Sequence, residues 1–218
     1  FKTMSRAMIN DAALQFWLDG QESTAKAPNE NLGRELMELF VLGVGRYTED
    51  DVKASARALT GYQVEKSSGA ITFNAKRYDS KPVTILGTTQ VFTGDTLSDF
   101  LVARDDNATF IAERLWYRFM SSTEDMPKSF SAKSALANRD IAAAVAAMAN
   151  DPAMRDPKND LVKSPVEWFI AACRALELTP SNLKTPGQLF NYLDKLGQVP
   201  FNPPNVGGWP AGGAWLSS

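Results

Sequence analysis

The chain has 218 residues, of which 44 % are hydrophobic and 22 % charged, with a formal net charge of −2. That is ordinary globular composition, enough for a domain with a sizeable core, and the absence of a strong basic patch argues against nucleic-acid binding. Histidine is absent and Cys173 is the only cysteine, which excludes Ser-His-Asp and Cys-His catalysis, disulfides, and His- or Cys-rich metal sites within this chain.

Phe1 to Leu18 reads as helical, with the apolar recurrence broken near Asn10-Asp11. A polar loop from Asp19 to Pro28 leads to the most strongly patterned stretch, Asn29 to Gly45. Asn29 suits an N-cap and Glu30 a first helical turn. Leu32, Leu36, Leu39 and Phe40 fall at i, i+4, i+7 and i+8, one apolar stripe, and Gly43 and Gly45 supply the stop. At 100° per residue, Asn31, Glu35, Glu38 and Leu42 share a face, which puts Glu35 at its border. Glu30–Arg34 and Arg34–Glu38 are i,i+4 pairs of opposite sign.

Thr48, with Asp51 three residues on, caps a second helix through Val52, Ala56 and Leu59 to Gly61, with Arg57 near its end. Tyr62-Gln-Val-Glu and Ala70-Ile-Thr-Phe73 alternate around a Lys66–Gly69 turn, a hairpin pattern. Val83–Ile85 and Gln90–Phe92 add short strands around Gly87. Asp95 is expected to cap a helix containing Leu97, Phe100, Leu101 and Val102. Asp106 or Asn107 would cap the next, with Phe110, Ile111, Leu115, Trp116 and Phe119 inside. Ala132 to Asn150 is an Ala-rich helical region with a break near Asn138, ended by Asp151-Pro152. Ser164-Pro-Val-Glu167 is a capping box with Pro at the first helical position, and Thr185-Pro-Gly-Gln188 is a second. Cys173 reads as a small buried side chain of the intervening helix. The tail at about 198–215 is irregular because Pro and Gly interrupt it, and Phe201, Trp209 and Trp215 are the side chains expected to pin it. Met8-Ile-Asn-Asp-Ala-Ala-Leu14 resembles Met148-Ala-Asn-Asp-Pro-Ala-Met154, and both would sit at a helix end.

The longest small-apolar run, Ala142 to Ala149, is far short of the ~20 residues of a membrane span. The chain opens on Phe1 and closes on a helix-like Trp215–Ser218, so a fragment of a longer protein is expected and the lack of a leader is uninformative. The fold expected is mainly α: a single domain over residues 1–218, an irregular multi-helix bundle with a small antiparallel β hairpin insertion at about 62–92.

Two functional readings follow. In a binding module, Trp209 and Trp215 stack on a flat partner such as a carbohydrate or peptide, against the plainer alternative that they only pin the tail. In a carboxylate-based hydrolase or lyase, Glu35 acts with Glu30 or Glu38, helped by Arg34 or Arg57, since two acids and a water suffice for acid–base chemistry. The plainer alternative there is a solvated, salt-bridged face. No cofactor is evident; a metal would be an oxygen-ligated divalent cation, Ca²⁺, Mg²⁺ or Mn²⁺. A cleft is expected between the central helix, the Arg57 helix and the tail. Ser164 beside Lys163 is explained by capping rather than by a Ser–Lys nucleophile, and Gly207-Gly208 and Gly212-Gly213 lack the Lys and helix of a phosphate loop.

Several motifs carry a family resemblance: Asn29-Glu-Asn-Leu-Gly-Arg-Glu-Leu-Met-Glu-Leu-Phe-Val-Leu-Gly-Val, Tyr47-Thr-Glu-Asp-Asp-Val, Ala56-Arg-Ala-Leu-Thr-Gly-Tyr62, Lys163-Ser-Pro-Val-Glu-Trp-Phe, Pro203-Pro-Asn-Val-Gly-Gly-Trp-Pro and Ala214-Trp-Leu-Ser. In this order they resemble the bacterial family called domain of unknown function 1800, over most of this chain and the C-terminal part of a typical member. The resemblance implies a mainly helical, exported protein, periplasmic or extracellular, often encoded beside a second secreted family that could be its partner. It implies no agreed activity, so no catalytic residues transfer. Members often carry His where this chain has Phe40, and a His-Asp pair where it has Tyr78-Asp79, which puts any function of those histidines in doubt here.

Overall fold

The computed structural model describes residues 1–179, 182 and 186–216. The fold is mainly α, with ten α-helices and two antiparallel two-stranded sheets among the described residues. The chain divides into two compact units, Phe1–Ala112 with Ser131–Ala147, and Glu113–Phe130 with Met148–Ser218.

The first unit opens with α1 (Lys2–Ile9) and α2 (Ala12–Trp17), the latter capped by Asp11, whose carboxylate accepts the Leu14 N–H at 2.8 Å. The central segment follows as α3 (Asn31–Glu35), which runs directly into a π-helix, Leu36–Val41. The N-cap is Glu30, one residue later than expected and without a side-chain cap; Asn29 precedes it and accepts the Asn31 N–H at 2.9 Å. From Leu36 the bonding widens: the Leu42 N–H reaches the Met37 carbonyl at 2.8 Å, five residues back, and the Gly43 N–H closes on the same oxygen at 3.0 Å. The wider turn changes which side chains face inward. Leu32 and Leu36 are buried as expected, but Met37, Val41 and Leu42 complete the inner face while Leu39 and Phe40 are only half-buried. A constant 100° step misplaces every residue beyond the switch. Gly43 and Gly45 end the segment at φ +89° and +80°.

Helix α4 (Glu49–Ala58) carries the expected Thr48–Asp51 capping box. Strands β1 (Tyr62–Val64) and β2 (Ile71–Phe73) pair antiparallel with Val64 opposite Ile71. β3 (Val83–Ile85) and β4 (Thr88–Gln90) form a second hairpin with Ile85 opposite Thr88. Its two turn residues, Leu86 and Gly87, both have positive φ, +48° and +80°, the geometry that matches strand twist in a two-residue turn. The second strand thus comes two residues earlier than expected, and Phe92 lies beyond it in the core.

Helix α5 (Gly94–Ala103) is capped by Thr93 with Thr96, not by Asp95, which sits in the first turn. α1 packs on α5 through a buried Ser98–Ser5 hydroxyl bond of 2.8 Å and the Arg6–Asp99 and Lys2–Asp99 ion pairs. Helix α6 (Asp105–Phe119) starts before the expected caps. Asn107 is instead buried and donates its amide to the Val41 carbonyl at 2.8 Å, satisfying an end of the π-helix that would otherwise lack a partner. α7 (Ala132–Ala137) and α8 (Ile141–Asn150) are separated at Asn138, as the sequence indicates.

In the second unit, Trp116 is buried against Phe130, edge to face at 5.3 Å, and donates its indole N–H to the Glu124 carbonyl. Phe119, expected inside, is 53 % exposed, at the last residue of the helix. Asp151 caps a short 3₁₀ turn, Pro152–Arg155, and both members of the Met-x-Asn-Asp pair of sequences sit at a helix end, that of α1 and that of α8, as expected. α9 (Pro165–Ala175) begins with the expected Ser164–Glu167 capping box. α10 (Pro186–Lys195) follows; its proposed box at Thr185 lies outside the described residues. The Gln198 side chain returns to accept the Val166 N–H at 3.0 Å, tying the end of α10 to the start of α9. No described helix is long and apolar enough to cross a membrane.

Candidate functional site

The charged residues of the central helix divide into separate hydrogen-bonded groups. Arg34 reaches Glu49 of α4 with both terminal nitrogens at 2.7 Å, and Glu30 at 3.1 Å. This bidentate contact raises the guanidinium above its ordinary range and lowers the Glu49 carboxyl. The expected Arg34–Glu38 pair does not form. Glu38 lies in the π-helix, out of i,i+4 register, and accepts the Tyr47 hydroxyl; burial, then this bond, pushes the phenol well above its ordinary value. Arg57 binds Asp79, Nε to Oδ2 at 2.6 Å.

Glu35 belongs to none of these groups. It is half-buried and makes no hydrogen bond or ion pair among the described residues. Burial raises its carboxyl above the ordinary value, the charge of Glu38 adds to this, and Arg34 opposes it. Its intermediate burial fits a place at the border of the apolar stripe; Glu30, Glu38, Arg34 and Arg57 are bonded to other partners. A cation at Glu35 would need further oxygen donors, since no group of three or more acidic, His or Cys side chains gathers among the described residues.

At the two positions where the resemblance led to an expectation of histidine in relatives, Phe40 is half-buried against the core and Tyr78 donates its hydroxyl to the Phe92 carbonyl at 2.7 Å. Asp79, beside Tyr78, is taken by Arg57. These are packing and ion-pair roles.

The second unit holds a hollow of about 340 Å³ lined by Lys163, Pro165, Trp168, Leu196, Trp215 and Leu216. Three local features build it. The Ser164 box and Pro165 start α9 in a fixed place and carry Trp168 one turn on. The Gln198–Val166 bond holds the Leu196 end of α10 to the same place. The tail docks at Gly212, where a Cβ would come within 2.6 Å of the Tyr117 hydroxyl and 2.9 Å of the Ser122 carbonyl at φ +59°. Only glycine suits both that φ and that approach, and the following 3₁₀ turn, Gly212–Leu216, carries Trp215.

Trp168 is 56 % exposed, Trp215 is half-buried, and Lys163 makes no ion pair among the described residues. Of the two tail tryptophans singled out from the sequence, Trp215 lines this hollow; Trp209 is half-buried and is not among its lining residues. Phe201, expected to pin the tail, is fully exposed at φ +65°. Sequence reasoning missed Trp168 and Lys163. A signal existed: Trp168, Phe169 and Ile170 are consecutive, and three large apolar side chains spread over about 200° cannot all face one side of a helix.

No curated protein and no solved structure matches the chain significantly. A family model described as "Protein of unknown function (DUF1800)" matches residues 1–218, the whole chain. The motifs of the central segment, the Ser164 box and the Trp-containing tail thus occur in one matched stretch, and the chain belongs to the DUF1800 family.

Proposed function

We propose that this protein is a partner-binding module of an exported bacterial protein, working in the periplasm or outside the cell, and that it grips an acidic peptide segment of a secreted partner. The observation that carries this reading is the hollow between Trp168 and Trp215 with Lys163 beside it. Two indoles supply large contact area with few rotatable bonds, the composition of an interface anchor. Leu196, Leu216 and Pro165 make the rest of the lining apolar, which suits an aliphatic or aromatic side chain. A carbohydrate would call for several convergent polar groups, and Lys163 is the one charged lining residue. An anionic group next to the apolar anchor answers Lys163.

Selection of displayed random peptides on the protein tests this. The reading expects sequences with an aromatic or Leu next to Asp or Glu, and a loss of about tenfold or more in affinity on Trp168→Ala or Trp215→Ala. Peptides that bind both variants as tightly as the parent protein would end it, as would binding confined to glycans.

Glu35 motivates a second reading, a carboxylate- or metal-dependent hydrolase or lyase. Its support is a half-buried carboxylate with no partner and a raised affinity for its proton, at the junction of α3 with a π-helix, a form of backbone often found at functional sites. Turnover of an ester, amide or glycoside that disappears in Glu35→Gln would favour it; turnover unchanged in that variant would remove it.

A further inference from the structure

The hollow between α9 and α10 on the other side of the Trp168 helix is a different kind of feature. It measures about 220 Å³ and is lined by Phe169, Ile170, Cys173, Leu178 and Leu189, with Arg174 and Thr179 as its polar members. Apolar cavities of about 150 Å³ are known to hold a benzene ring, so this one takes a ring with a short chain. Arg174 makes no ion pair among the described residues, and a guanidinium offers a planar fork of donors that matches a carboxylate. α9 contributes this lining without a single buried residue of its own, so the apolar side chains there lack the packing they would have in a filled core.

We infer that this hollow is a site for a small monoanionic ligand with an apolar body, such as a short arylalkyl carboxylate, its ring among Phe169, Leu178 and Leu189 and its carboxylate on Arg174. The inference goes beyond the peptide-binding reading and does not depend on it: Lys163, Trp168 and Trp215 take no part.

The only cysteine in the chain lies in the lining and is half-buried, so its reaction with a maleimide reports on the hollow alone. The experiment compares the labelling rate, read by intact mass, in 3-phenylpropionate and in the uncharged 3-phenylpropanol. The expected result is slowing by both, with the acid effective at about tenfold lower concentration, a difference of one charge-assisted contact. Arg174→Gln, an exposed position, should erase the advantage of the acid and leave protection by the alcohol unchanged. Trp168→Ala should leave both untouched, which separates this site from the peptide hollow. Labelling unaffected by either compound, or equal protection by acid and alcohol in the parent protein, would overturn the inference.

Discussion

The Oδ1 of Asp51 accepts the backbone N–H of Leu86 at 2.6 Å, across 35 residues of sequence. Its other oxygen accepts both the N–H and the hydroxyl of Thr48, at 2.8 and 2.7 Å. One carboxylate therefore caps α4 and clamps the β3–β4 turn on it, at a leucine held at φ +48°. Such a backbone conformation costs a non-glycine residue roughly 1–2 kcal/mol, and the Asp51 bond offsets it.

Asp51→Asn keeps the shape and weakens the charge-assisted bonds. Each bond to a charged group contributes about 1.5–3 kcal/mol, so we expect a loss near 2 kcal/mol in urea unfolding, read by the midpoint at unchanged slope. A loss below about 0.5 kcal/mol would mean that the turn holds itself.

The central segment meets α4 at Gly33. A Cβ there would lie 2.4 Å from the Ser55 hydroxyl and 3.2 Å from the Ala56 backbone nitrogen. Helix propensity alone would make Gly33→Ala stabilising by about 1 kcal/mol. Close packing reverses the sign, and a net loss of about 1–3 kcal/mol is expected. Ser55→Ala added to it removes the nearer clash, so the double variant should recover part of the loss in a thermodynamic cycle. Strict additivity of the two changes would mean that the helices do not approach this closely at Gly33.

Acid should unfold the first unit by a route that named carboxylates control. Asp79, bonded to Arg57, and Asp99, bonded to Arg6, are held below their ordinary value of 3.8. Burial opposes ionisation of Asp51, but its bonds from Leu86 and Thr48 win and hold it below 3.8 as well. A lowered value in the folded state means stability that is complete above the unfolded value and lost as pH falls below it. Asp79→Asn should therefore cost stability at pH 7, by about 2 kcal/mol for a charged bond, and flatten the decline below pH 4. Glu35 has the opposite sign: raised above 4.5, it subtracts stability as pH climbs through that value. Glu35→Gln should leave stability unchanged at pH 3 and raise it at pH 7, within about 0.5 kcal/mol. A profile in which the two variants shift the same way would contradict the assigned environments.

Local capping chemistry was legible in the sequence because it depends on residues three apart: Thr48–Asp51 and Ser164–Glu167 both form. The Tyr62–Phe73 hairpin was legible from its alternation. What the sequence hid are the departures from regular geometry and the long-range contacts. The π-helix from Leu36 has no residue signature, and it exchanged Leu39 and Phe40 for Val41 and Leu42 in the core. Asn107 reads as a cap until its partner, Val41, is brought to it from 66 residues away. The same holds for the candidate sites. Glu35 was visible as a border residue from periodicity, whereas the meeting of Lys163, Trp168, Leu196 and Trp215 depends on how Gln198 and Gly212 place their segments.

The peptide reading stands on the charge of Lys163 beside the two indoles, and a charge-swap titration addresses it most directly. Calorimetry at low salt would pair the parent protein and Lys163→Glu with a selected acidic peptide and with its acid-to-lysine counterpart. The account predicts that Lys163→Glu weakens the acidic peptide by about tenfold and binds the basic one better than the parent protein does. Equal affinity of both proteins for both peptides would contradict it.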